Sequence, residues 1–67
     1  MYKIIEALVS RGETLEYAED ALEVMIAEVC LGGDNVYNVL AVQGLVVTAE
    51  LVEELYELCG DALQHLE

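Results

Sequence analysis

The sequence predicts an all-α fold, a small four-helix bundle in the order short, long, short, long, and three observations lead to it. The 67 residues contain no proline. Apolar residues recur three and four positions apart along most of the chain, the period of a helix with one buried side. Glycines at Gly12, Gly32, Gly33 and Gly44 interrupt that period and cut the chain into four pieces. A chain this short makes one domain and withdraws only about 60% of its unfolded surface from water, so its margin of stability as a monomer is small.

The first piece runs from about Tyr2 to Ser10 and sets Ile4, Ile5 and Leu8 on one side. The second begins at Thr14 as N-cap, with Ser10 and Glu13 offering a rival capping box. It stops at the glycine pair, where Gly32 is expected in the left-handed conformation. Asp34 is the expected N-cap of the third piece, which ends near Gln43. The fourth opens at N-cap Thr48 and keeps its apolar phase through Leu51, Val52, Leu55, Cys59, Ala62, Leu63 and Leu66. Gly60 leaves that phase intact and reads as a point of close packing.

The third piece lies in "VYNVLAVQGLVV", Val36 to Val47, a run without one charge. Its β-branched content also fits a hairpin over residues 36–48 that turns at Gln43 and Gly44. A lone hairpin is barely stable, so a short buried helix with an extended connector is the expected form. In either form the run is expected to be core, covered by the long acidic helices. Residues 1–65 read as a single acidic helical domain, and Leu66 and Glu67 as a cloning-site remnant.

A weak internal echo suits this layout. Thr14, Glu16, Glu19, Asp20 and Glu23 recur thirty-four positions later as Thr48, Glu50, Glu53, Glu54 and Glu57. The fold could then be a duplicated αα-hairpin. The period equals that of tetratricopeptide repeats, but that family's signature residues are missing and arrays of three or more are the rule.

Composition bounds the function. Fourteen Asp and Glu face only Lys3 and Arg11, a formal net charge of −12, so the chain projects a negative potential. Direct binding to nucleic acid or to an anionic membrane is disfavoured, and a protein partner with a basic surface is favoured. No stretch approaches the roughly 20 apolar residues of a membrane span, and the N-terminus lacks the basic region of a signal peptide. A cytoplasmic setting is expected. Apolar residues make up 57% of the chain, above the roughly 45–50% of soluble domains, and so small an interior cannot hide them all. A homo-oligomer, in the first instance a dimer, is therefore expected.

Helical projection separates the two long helices. In the fourth piece Glu50, Glu53, Glu54, Glu57 and Asp61 share the side opposite the apolar residues. In the second, Leu15, Ala18, Leu22, Met25, Ile26 and Val29 form an inward stripe, while Tyr17, Val24 and Leu31 line up seven apart on another side. That stripe reads as an oligomer or partner seam, as three scattered exposed apolar residues of the ordinary kind, or as part of a helix so central that its neighbours cover both sides. Glu16, Glu19, Asp20 and Glu23 complete the candidate partner-binding acidic face. Five like-charged i,i+4 pairs along it oppose folding by roughly 1–2.5 kcal/mol at low salt, a large burden for so small a domain.

Chemistry is sparse. His65 is the only histidine and Ser10 the only serine, so no nucleophile–base–orienter triad can form, and His65 reads as a frayed terminal residue. Cys30 and Cys59 read as small buried hydrophobes rather than a disulfide, and with His65 they lack metal-ligand spacing. "LGGDN" lacks the lysine of a phosphate loop and the oxygen series of an EF-hand. No catalytic residue, cofactor or metal is expected. Two readings survive: a regulator or inhibitor that docks its glutamates on a basic, nucleic-acid-handling protein, and a homo-oligomeric structural or adaptor module whose acids serve solubility. In composition the chain resembles small acidic inhibitors of phage or mobile-element type that imitate nucleic acid.

Overall fold

The structure, a computed structural model, describes residues 1–64. Its four helices are α1 (Lys3–Ser10), α2 (Leu15–Cys30), α3 (Val36–Val42) and α4 (Ala49–Gln64). The readings of His65 as a frayed end, of Leu66 as the last member of the apolar phase and of Leu66 and Glu67 as a remnant lie outside the described residues.

Side-chain caps decide where most of these helices start. The Thr14 hydroxyl accepts the Tyr17 N–H at 3.1 Å, which makes Thr14 the cap of α2 and leaves Ser10 as the last residue of α1. Thr48 caps α4 in the same way, accepting from Leu51 N–H at 3.3 Å. In α3 the expected cap is displaced by one residue. The Asn35 carboxamide accepts the Tyr37 N–H at 2.8 Å, whereas Asp34 accepts from Asn35 N–H at 2.8 Å. The cause is upstream: Gly32 N–H still bonds to the Ala27 carbonyl, so the chain reverses at Gly33, which has φ 66°, and not at Gly32. Gly32 is constrained differently, since a Cβ there would stand 2.7 Å from the Glu28 carbonyl oxygen.

Residues 36–48 form no hairpin, and no strand occurs among the described residues. With Asn35 satisfying an orphan N–H, the helix of α3 starts without a sheet partner, and residues 45–48 form the connector to α4. The expectation that the whole uncharged run is core is corrected. Val36, Val39, Leu40 and Leu45 are buried, but Val42 is 82% exposed because a seven-residue helix turns only one side inward, and Val46, in the connector, is 80% exposed. Gly60 is corrected too: α4 runs through it, yet a Cβ there would meet nothing within 4 Å. Leu15, expected inside, is half exposed at the start of α2, and Leu63 is also exposed.

The long helices pack on each other, α1 packs on both, α3 packs on both, and α1 and α3 do not touch. Every helix sends a fully buried side chain to the shared core: Ile4 and Leu8 from α1, Met25 from α2, Val39 and Leu40 from α3, Leu55 from α4. Such burial stabilises by about 1.5–3 kcal/mol per large side chain. Among the described residues no polar or charged one is buried.

Candidate interaction surfaces

The nine acids singled out from the sequence form one row along α2 and one along α4. On α4, Glu50, Glu53, Glu54 and Glu57 gather around Lys3, and exposed Asp61 continues the row. Glu54 is only partly accessible and has a structural task. Its carboxylate accepts the Lys3 N–H at 2.7 Å and the Ile4 N–H at 2.8 Å. Tyr2, at the N-cap position of α1, supplies no side-chain cap, so a residue fifty positions away in the chain satisfies two of the orphan donors of α1. The Lys3 ammonium lies 3.4 Å from Glu50.

On α2 the corresponding acids have no such partners. Glu16, Glu19, Asp20 and Glu23 are all exposed, and among the described residues none forms an ion pair. The second basic side chain cannot help, because Arg11 donates to the Gln43 carbonyl and lies 3.8 Å from Glu13. Lys3 and Arg11 are thus both engaged with groups outside α2.

Tyr17, Val24 and Leu31 are 47%, 51% and 74% exposed. The short helices therefore do not cover both sides of α2, and the stripe is open. Tyr17 and Val24 line a groove with Asp20, Ala21 and Gln43. A second apolar groove, with Tyr37, Val47, Val52 and Tyr56 along it, escaped the sequence reading as a site. It exists only where the start of α4 meets α3, and the exposed tyrosines on each helix were its only local sign.

The two cysteines are free, Cys59 buried and Cys30 partly so. The fold brings them together: the Cys30 thiol donates to the Cys59 carbonyl oxygen at 3.5 Å. Burial, then hydrogen bonding and charge interaction with Cys30, push the Cys59 thiol from an ordinary 9.0 up to about 12. A thiol held protonated in this way is a poor nucleophile at neutral pH. No group of three or more described His, Cys, Asp or Glu side chains is placed to hold a metal ion. No helix among the described residues is long and apolar enough to cross a membrane.

The fold and its surfaces define a small helical bundle with a row of acids on each long helix, an open apolar stripe on α2 and an apolar groove where α4 meets α3. Comparison with protein-family models, with curated proteins and with solved structures found no match.

Proposed function

We propose that this chain is a non-enzymatic protein–protein interaction module, a cytoplasmic regulator or inhibitor that sets a glutamate-rich face against a basic protein that handles nucleic acid. The observation that carries this reading is the imbalance of charge. With a net charge of −12, its only ion pairs among the described residues are Lys3–Glu50 and Arg11–Glu13. Rows of carboxylates about one helical turn apart offer a phosphate-binding surface the charge density it normally meets on a nucleic acid backbone. The like-charge repulsion within each row weakens folding, and a basic partner would convert that cost into affinity.

The test is a pull-down from the source cell or its host, read by mass spectrometry, with the Glu53→Lys, Glu57→Lys double variant as control. Partners held by the acids should be lost from the variant. Their binding should weaken steeply as salt rises from low to physiological, where the screening length shrinks to about 8 Å. Partners that bind the double variant equally well at both salts would defeat the reading.

A second reading is favoured by the exposure of Tyr17, Val24 and Leu31: a homodimer formed through that stripe, with the acids serving solubility. In that case light scattering would give a dimer mass that Val24→Glu reduces to the monomer and that salt leaves unchanged.

A further inference from the structure

Within this chain, α4 already demonstrates how one of its acidic helices holds a shorter helix. The first N–H groups of α1 rest on the Glu54 carboxylate at 2.7 and 2.8 Å, and Lys3 lies 3.4 Å from Glu50. Leu51, on the same side of α4, is 7% exposed. Thirty-four positions earlier, α2 presents the same set: Glu16 for Glu50, Asp20 for Glu54, Tyr17 for Leu51 and Val24 for Leu58. There no helix is seated, and Tyr17 and Val24 stand about half exposed beside Asp20 in an open groove.

Resting on the reading of this chain as a protein-binding module, we infer that the Tyr17, Val24 and Leu31 stripe docks a short basic amphipathic helix of a partner protein. Its apolar side lies on the stripe, its first turn faces Asp20, and its lysines or arginines face Glu16 and Glu23. Charge selects this occupant over a second copy. α2 contains no lysine or arginine, and Lys3 and Arg11 are engaged elsewhere, so a second copy would bring another −12 and no cation to place against the row. A basic helix brings both the apolar contact and the missing counter-charge.

The probe is a peptide of about 18 residues, roughly 27 Å as a helix, built from leucine and lysine with leucines at helical spacing. A scrambled peptide of identical composition is the control. Titrated against the full chain at physiological salt, the amphipathic peptide should bind at least about tenfold more tightly than the scrambled one, and Val24→Glu should cost about tenfold. Val24→Ala should cost about threefold, and Val42→Glu, which adds the same charge on α3, should change binding by less than about twofold. Circular dichroism should show all three variants folded, since both sites are open to solvent.

Equal binding of the two peptides, or indifference to Val24→Glu, overturns the inference. If in that case Glu53→Lys with Glu57→Lys abolishes binding of both peptides, the acidic-face reading stands while the groove falls. If no lysine-rich peptide binds even at low salt, both fall. A dimer that excludes the peptide and dissociates on Val24→Glu would also overturn it, by giving the stripe to a second copy.

Discussion

α2 and α4 are nearly the same helix in local terms and differ in what lies on them. Each has 16 residues, each starts from a threonine cap, and each carries glutamates at matching positions. On α4 the side that bears Leu51 and Glu54 meets α1, so the leucine is buried and the carboxylate holds a helix terminus. On α2 the matching Tyr17 and Asp20 stay exposed in a groove bordered by Gln43 at the end of α3. One pattern of residues therefore serves folding in one place and is left over in the other, and only the neighbour distinguishes them.

The largest expected effect separates the two apolar stripes. Leu51→Ala should cost about 2–3 kcal/mol in urea denaturation, because it opens space beneath α1. Tyr17→Ala should cost less than about 1 kcal/mol at the same protein concentration. Comparable losses at the two sites would mean that something covers the α2 stripe in solution.

The acids should differ in the same direction by a smaller amount. Glu54→Ala removes two charge-assisted hydrogen bonds from the start of α1 and should destabilise by about 1–2 kcal/mol. Asp20→Ala breaks no hydrogen bond and relieves its repulsion with Glu16, so it should leave stability unchanged or raise it by a few tenths of a kcal/mol. A loss at Asp20 that equals the loss at Glu54 would erase the distinction between the rows.

A further difference, absent at neutral pH, lies where the two helices touch. Between pH 9.0 and about 12 the folded chain keeps the Cys59 proton while the unfolded chain has lost it. Unfolding then releases a proton, so stability falls as pH rises through that window and is unaffected below it. Cys59→Ala should flatten this alkaline slope relative to the parent chain, measured as the shift in denaturation midpoint with pH. Groups that titrate there in both proteins cancel in the difference. Identical slopes would place Cys59 in contact with water.

How much of this could be read from the residues depends on the range over which each feature is decided. Four helices, the Thr14 and Thr48 caps and the alignment of Tyr17, Val24 and Leu31 follow from spacing and from hydrogen bonds three residues long, whereas only the packing shows that the stripe is open. The cap of α3 and the reversal at Gly33 were missed by one position, because adjacent candidates, Asp34 and Asn35 or Gly32 and Gly33, differ only in how far α2 winds before it stops. Gly60 was misread because a glycine in phase looks alike whether it faces a neighbour or water. Glu54 was assigned to the acidic face with its neighbours, since nothing local marks a carboxylate that serves a helix on the far side of the sequence.

Period, capping and charge are short-range properties, so the amino-acid order alone determined the four helices, the −12 charge and the rows of carboxylates that helical geometry must produce. The tertiary structure decided that the Glu54 carboxylate meets the start of α1 while Asp20 stays open, and that Cys30 meets Cys59. Those outcomes depend on which buried sides pair across the chain. That pairing is set by shape and volume in the shared core, where Leu8, Met25, Leu40 and Leu55 come together, and no single segment contains that information.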